Sequence, residues 1–235
     1  YPIESLWTRF EPSSMGVRGA PKSAKELALS FRAVGDVLYD NQMEFGFIDS
    51  KTLAESKIQD GQLVHGNLKW RVIVLPHTDT LPIAAWRNLR KFWKSGGVVV
   101  AIGDSPRNSE TEFPSSEVLQ ISQEIFNDSD RGIVLPTGKE KQLPEALTRF
   151  VQRDLVVSEA SSPLRFTHRR IHGSEVYFII NDSAQPWTGS ITLGIKGSGR
   201  KWDPATGNAE AIASTNNLHL HLNAYGATII TIKKG

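Results

Sequence analysis

The chain has 235 residues, of which 39% are hydrophobic and 22% are charged, so its composition is that of a globular protein and not of a disordered one. Its 27 lysines and arginines nearly balance its 25 aspartates and glutamates, and a net charge of +2 does not favour nucleic acid or a membrane surface as a partner. The sequence contains no cysteine, which excludes disulfides, thiolate metal sites and cysteine nucleophiles.

The start of the sequence has neither an initiator methionine nor the basic and apolar regions of a signal peptide. Residues 1–7 have the pattern of the last residues of a strand. No apolar run approaches the roughly 20 residues that cross a bilayer. We therefore expect a fragment or a processed form of a longer protein, with no membrane partner.

Residues 22–152 alternate between helical and strand periodicity. The pattern predicts helices at 22–39, 81–94, 117–126 and 143–152, and strands at 45–49, 70–75, 98–102 and 132–135. Strands that alternate with helices of ten or more residues are typical of parallel sheets built from βαβ units. We therefore predict that residues 1–158 form a doubly wound, mostly parallel, flavodoxin-like α/β domain.

The pattern changes at residues 158–163, a short polar segment that we interpret as a linker. The following residues show no helical period, and turn signals separate short strand candidates at 165–171, 175–181, 190–195, 199–202, 210–213, 218–222 and 227–232. This spacing predicts a small antiparallel β-sandwich over residues 163–235.

Polar residues follow the predicted strands of the first domain. Ligands of doubly wound sheets bind outside the carboxyl ends of the strands, and His77, Asp79 and Asp104 lie at such ends. They are candidate ligand-binding residues, and a small hydrolase that uses them is one hypothesis. The same residue types after a strand also cap the next helix, and we favour this alternative. No phosphate-binding loop joins a strand to a helix, so no nucleotide or other cofactor is expected.

Two tryptophans of the second domain, Trp187 and Trp202, lie near predicted turns. Both are candidate ligand-binding residues, because an exposed indole there can stack on a sugar ring. Filling the core of a small domain is the more common role of such a tryptophan. His219 and His221 alternate with leucines on one strand, which is typical of a solvated strand face, and we predict no metal site.

Residues 168–181 contain His168, Arg169 and Arg170, then Gly173 and a Val-Tyr-Phe run that ends at Asn181, and residues 202–207 read Trp-Asp-Pro-Ala-Thr-Gly. Both stretches, together with residues 1–7 and 61–76, resemble the C-terminal region of large glycoside hydrolases of the α-L-rhamnosidase type and their family-2-like relatives. In such enzymes the catalytic carboxylates lie on a (β/α)8 barrel. The resemblance therefore implies a non-catalytic accessory role, without catalytic residues of its own.

The same resemblance implies partners for the chain. They are the catalytic barrel of the parent chain, a further copy of the chain in a homo-oligomer, or a carbohydrate. It also implies a bacterial parent that is secreted or periplasmic. A carbohydrate-binding module is the alternative to the accessory role.

The first domain also resembles the class I glutamine amidotransferase fold and the trimerisation domain of some β-galactosidases. Where that amidotransferase family has its cysteine nucleophile, this sequence reads Gly103, Asp104 and Ser105. Amidotransferase chemistry is therefore excluded, although the fold can persist without it.

Overall fold

The computed structural model describes residues 2–10, 21–127, 130–159 and 162–233. The chain forms two compact units, Tyr1–Val37 with Gly46–Val151, and Leu38–Phe45 with Gln152–Gly235. The architecture is mixed α/β, and the described residues form one parallel and three antiparallel sheets.

The helices all lie before residue 148. They are α1 (Ile3–Trp7), α2 (Lys22–Asp40), α3 (Ser50–Glu55), α4 (Ile83–Lys94), α5 (Ser116–Phe126) and α6 (Leu143–Leu147), with a 3-10 turn at Glu140–Gln142. Within the described ranges, none of these helices is long and apolar enough to cross a bilayer.

The first unit contains two three-stranded sheets. One is antiparallel, in the order β1 (Lys57–Gln59), β2 (Gln62–His65) and β3 (Leu68–Trp70). The other is parallel, in the order β4 (Val72–Pro76), β5 (Val98–Ile102) and β6 (Gly132–Leu135). Every residue of β5 is buried, as expected for the central strand of a parallel sheet.

One hydrophobic core holds the first unit together. The rings of Trp86 and Phe92 on α4 are almost completely buried in it, with Val99 of β5 and Ile121 of α5. Burial of such side chains is the main favourable contribution to folding. In the chain, α4 follows β4 and α5 follows β5. The packing of these two helices in the core therefore fixes the positions of the carboxyl ends of β4 and β5.

Several predictions for the first unit need correction. Residues 3–7 form helix α1 instead of the end of a strand, and residues 45–49 form no strand. The apolar side chain of Phe47 is 65% exposed, so apolar composition alone misled the prediction. The sheet of β1 to β3 was not predicted, although its first turn, at Asp60 and Gly61, has the positive φ values of a two-residue hairpin. The predicted helix at 143–152 is shorter, and ends at Leu147.

The second unit consists of antiparallel strands. They are β7 (Leu155–Val157), β8 (Leu164–Ile171), β9 (Ser174–Asn181), β10 (Trp187–Leu193), β11 (Gly199–Trp202), β12 (Ala209–Ile212), β13 (Leu218–Leu222) and β14 (Ala227–Lys233). One sheet has the order β13-β10-β7 and the other β12-β11-β14-β9-β8. Each predicted strand overlaps an observed one, and β7 is additional. Two residues of the predicted linker, 160 and 161, lie outside the described residues.

Both sheets of the second unit contribute to one core. Leu155, Ile191 and Leu220 come from the three-stranded sheet, and Tyr177 and Ile230 come from the five-stranded sheet. Their side chains alternate with exposed ones along the strands, since successive residues of a strand face opposite sides.

The segment Leu38–Phe45 also belongs to the second unit. The side-chain amide of Gln42 donates to the carbonyl of Leu164, and the backbone N–H of His168 donates to the carboxylate of Glu44 at 3.0 Å. These bonds join the residues that follow α2 to the edge strand β8.

Candidate functional site

Asp79, a predicted site residue, lies just beyond the carboxyl end of β4 and binds neighbouring loops. Its Oδ2 lies 2.9 Å from Nη2 of Arg9, and both side chains are mostly buried, 17% and 16% exposed. Its Oδ1 accepts the hydroxyl of Thr80 at 2.9 Å. Its backbone carbonyl accepts the N–H of Asn108 at 2.9 Å. Asp79 thus connects the start of the chain, β4 and the loop after β5.

A buried serine strengthens the same connection. The hydroxyl of Ser5, on α1, donates to the carbonyl of Thr80 and accepts the N–H of Thr80, each at 2.9 Å. Ser5 is fully buried. Helix α1 is therefore hydrogen-bonded to the residues that follow β4.

Glu4 lies beside this connection. Its Oε1 accepts the hydroxyl of Ser50. Its Oε2 is buried and has no hydrogen-bond partner within the described ranges. A buried carboxylate oxygen without a partner is uncommon in folded proteins.

The other two strand-end candidates have separate surroundings. Nε2 of His77 is hydrogen-bonded to the hydroxyl of Thr137 at 3.2 Å, and its ring lies against Gly103. Asp104 is exposed. The described part of the chain contains no hydrogen bond between any two of His77, Asp79 and Asp104.

The helix starts are capped by other residues. Asp49 caps α3, since its Oδ1 accepts the N–H of Thr52 at 2.6 Å, and this hydrogen bond holds the pKa of Asp49 below its ordinary value. The N–H of Ile83, at the start of α4, donates to the carboxylate of Glu110 at 2.7 Å. Asp79 thus holds loops together, and none of His77, Asp79 and Asp104 caps α4 or α5.

The two predicted tryptophans differ in exposure. Trp187 is 6% exposed and belongs to the core of the second unit. Trp202 is half-buried, its indole N–H donates to the hydroxyl of Thr231 at 2.9 Å, and the guanidinium of Arg200 lies 5.2 Å from its ring centre. Trp187 therefore fills the core, whereas Trp202 remains accessible.

Trp202 lies on a cleft of about 560 Å³ in the second unit. The cleft is lined by residues of β11, β13 and β14 and by the turns beside them. Tyr225, in the turn before β14, lines it and is 71% exposed. The sequence predicts a turn between the strand candidates 218–222 and 227–232, so the position of this ring within that turn was not predicted.

A second arrangement that sequence reasoning missed surrounds His168. Its Nδ1 lies 3.1 Å from Oδ2 of Asp154, and its Nε2 lies 3.0 Å from Oε2 of Glu175. Arg170 binds the other oxygen of Glu175 at 2.6 Å. These contacts, chiefly the hydrogen bonds from Arg170, hold the pKa of the buried Glu175 carboxyl below its ordinary value. Burial raises the pKa of Tyr177, on which the His168 ring lies.

The hydrogen bonds and the backbone conformation of the turn at residues 202–207 account for the residue types in it. The carboxylate of Asp203 accepts the N–H of Ala205, and the carbonyl of Asp203 accepts the N–H of Gly207, each at 2.8 Å. Gly207 has a φ of 75°, which glycine adopts without steric cost. This stretch is a structural turn between β11 and β12.

In the described part of the chain, no group of three His, Cys, Asp or Glu residues is arranged to hold a metal ion.

The fold is that of a glycoside hydrolase region. A rhamnosidase from Novosphingobium sp. PP1Y is similar over 83% of this chain, with a TM-score of 0.66 and 20% sequence identity. A GH42 beta-galactosidase from G. stearothermophilus is similar over 91%, with a TM-score of 0.61 and 11% identity. A beta-galactosidase from Bacillus circulans sp. alkalophilus is similar over 87%, with a TM-score of 0.59 and 12% identity.

The family model of glycoside hydrolase 106, alpha-L-rhamnosidase, matches residues 37–216. The chain therefore belongs to this family. It spans 20% of the length of the Novosphingobium rhamnosidase and 37% of each of the two beta-galactosidases. No curated protein matches the chain.

Proposed function

We propose that this chain is a non-catalytic accessory region of a longer glycoside hydrolase and packs against the part that carries the catalytic carboxylates. The bonding of Asp79 is the observation that carries the proposal. Its carboxylate is the most enclosed of the strand-end candidates, and both of its oxygens are bound, one to Arg9 and one to Thr80. A carboxylate that is bound at both oxygens holds together the loops that carry its partners.

Glycoside hydrolysis requires a pair of carboxyl groups across the sugar, about 5 Å apart in retaining enzymes and about 6.5–9.5 Å apart in inverting ones. Asp79 faces Arg9, and the exposed Asp104 has no hydrogen bond to it among the described residues. This arrangement favours an accessory role over a small hydrolase that uses His77, Asp79 and Asp104.

The surface at the strand ends supports a packing role. Trp7 of α1 is 67% exposed, and Phe113, in the loop that follows β5, is 57% exposed. Large exposed apolar side chains are frequent where another polypeptide binds. The occupant we propose is the rest of the longer hydrolase, since this chain spans 20% of the length of the similar rhamnosidase.

The finer description of the fold belongs to the same proposal. The parallel sheet with α4 and α5 against it supports an amidotransferase-like first domain that lacks the nucleophile. The core shared by the two antiparallel sheets supports a β-sandwich as the second domain.

The experiment substitutes Asp79→Asn and Asp104→Asn together in the complete encoded polypeptide. Turnover of an aryl α-L-rhamnoside is measured well below the unfolding temperature of each variant. We expect kcat and KM within about twofold of the unsubstituted protein, because neither carboxylate contacts substrate. A folded double variant that loses kcat by about a hundredfold or more would contradict the accessory role. Glu55→Gln, an exposed change elsewhere in the first unit, is the matched control.

A further inference from the structure

The exposed ring of Tyr225 is held in an uncommon backbone conformation. Tyr225 has a φ of 54°, in the left-handed region that costs a residue with a large side chain about 1 kcal/mol or more. Its side chain is 71% exposed, so packing against the described residues offsets little of this free-energy cost. Strained positions that present a large side chain to solvent are frequent at binding sites.

Hydrogen bonds hold the turn that carries Tyr225 in place. The N–H of Tyr225 donates to the carbonyl of Ser183 at 3.0 Å. The side-chain amide of Asn181, which is 1% exposed, donates to the carbonyls of Asn223 and Gln185 at 2.9 and 2.7 Å. The ring is therefore presented by an organised turn, and binding to it costs little ordering.

The cleft beside the ring has the size and lining of a small-ligand site. Its volume of about 560 Å³ lies within the range of ligand pockets. Trp202 and Tyr225 give it aromatic rings, and Asn223 and His221 give it amide and imidazole groups. Nδ1 of His221 is hydrogen-bonded to the hydroxyl of Thr188 at 2.7 Å, which fixes the orientation of the ring.

The charges around the cleft disfavour an anionic ligand. Lys201 is paired with Glu210. Hydrogen bonds from Ala205 and Thr206 hold the pKa of Asp203 below its ordinary value, so this lining carboxylate is negatively charged at neutral pH. An anionic sugar would meet this charge, whereas a neutral one would not.

We infer that the cleft binds a neutral pyranose, which stacks on the ring of Tyr225 while its hydroxyl groups bond to Asn223 and His221. An aromatic ring beside hydrogen-bonding groups is suited to a sugar, because a pyranose has apolar C–H faces and a rim of hydroxyl groups. This inference is independent of the accessory role. The loss of turnover in the double variant would contradict the accessory role, whereas the absence of sugar binding would contradict the inference about the cleft.

The test is a titration of the isotopically labelled chain with neutral methyl pyranosides, namely the α-L-rhamnoside, the β-D-galactoside and the β-D-glucoside, followed by amide NMR shifts. We expect saturable binding of at least one of them, with shifts centred on residues 223–228. Tyr225→Ala should weaken that binding by about tenfold or more, whereas Tyr225→Phe should stay within about twofold. D-galacturonate should bind more weakly than the neutral sugar.

Phe178→Ala is the matched control, because Phe178 is a partly exposed ring of the same unit, 40% exposed, that does not line the cleft. The affinity of the Phe178→Ala variant for the neutral pyranoside should equal that of the unsubstituted chain. Two results would overturn the inference: no saturable binding of any of the three glycosides by the folded chain, or equal affinity of the unsubstituted chain and Tyr225→Ala.

Discussion

His168 lies flat on Tyr177, with ring centroids 4.1 Å apart and an angle of 7° between the ring planes. The two residues are directly opposite each other in the pairing of β8 with β9. Because the His168 ring is also bonded to Asp154 and Glu175 at its two nitrogens, it joins three charged or aromatic neighbours at one side of the second unit. The basic stretch around His168 is thus part of the folded structure.

Glu175→Gln should lower the free energy of unfolding by about 2 kcal/mol at neutral pH, since it removes the charge of a buried carboxylate bound by Arg170 and His168. Chemical denaturation measures the change. Glu210→Gln is the control, because Glu210 is mostly exposed in its ion pair with Lys201, and it should cost less than about 0.5 kcal/mol.

The same variant predicts a pH dependence. The pKa of Glu175 is lower in the folded chain than in the unfolded one, so its contribution is complete above the unfolded value of about 4.3. That contribution is lost as the pH falls through the folded pKa. The stability difference between the two proteins should therefore be constant at neutral pH and shrink below about pH 4.3. A difference that stays unchanged down to the acid transition would show that the Glu175 charge contributes nothing.

Ser5→Ala should destabilise the first unit by about 1–3 kcal/mol, because the N–H and carbonyl of Thr80 each lose the buried hydroxyl to which they are bonded. Thermal unfolding measures the effect. Ser105→Ala, at an exposed strand-end serine, is the matched control and should have almost no effect. Equal unfolding temperatures for the two variants would contradict the role assigned to Ser5.

Two glycines should respond differently to alanine. A Cβ on Gly132 would lie 1.6 Å from the carbonyl oxygen of Ile125, so Gly132→Ala must displace the end of α5 from β6. A Cβ on Gly207 would meet no atom within 4 Å, and only its φ of 75° opposes the change. We expect a loss of about 1 kcal/mol for Gly207→Ala and several times more for Gly132→Ala, measured by denaturation. The reverse order would contradict the packing of α5 against β6.

Asn181→Ala should weaken saccharide binding by about tenfold without removing any group that lines the cleft. The reason is that the buried amide of Asn181 holds the carbonyls of Asn223 and Gln185, and with them the turn of Tyr225. The NMR titration that tests the cleft measures this effect, and amide exchange at residues 223–226 should become faster. Full affinity together with unchanged exchange would show that Asn181 does not position the ring.

The sequence predicted those elements whose pattern is local. The bounds of β5 and β13 were predicted to the residue, because one is a continuous apolar run and the other alternates strictly between leucine and histidine. Residues 45–49 are mostly apolar but form no strand, and β7 is too short for its three residues to show a period. A local pattern does not contain the information that decides these two cases.

The candidate sites depend on contacts between distant residues. Arg9 binds Asp79 from 70 residues away, so the sequence proposed Asp79 as a ligand and could not show that its carboxylate is bound. The burial of Trp187 depends on the pairing of β10 with β13, and the position of Tyr225 depends on its bond to Ser183. Both partners are far away in the chain. The turn signal at Tyr225 and Gly226 was visible in the sequence, but the direction of the ring was not.

The accessory role requires that this chain does not hydrolyse glycosides by itself, and turnover by the purified chain measures this. Release of the aryl group from aryl α-L-rhamnoside and aryl β-D-galactoside would be followed in the presence of the folded chain. We expect the rate of the buffer blank for both substrates. A catalytic rate that scales with the concentration of the chain and disappears in the Asp79→Asn or Asp104→Asn variant would contradict it.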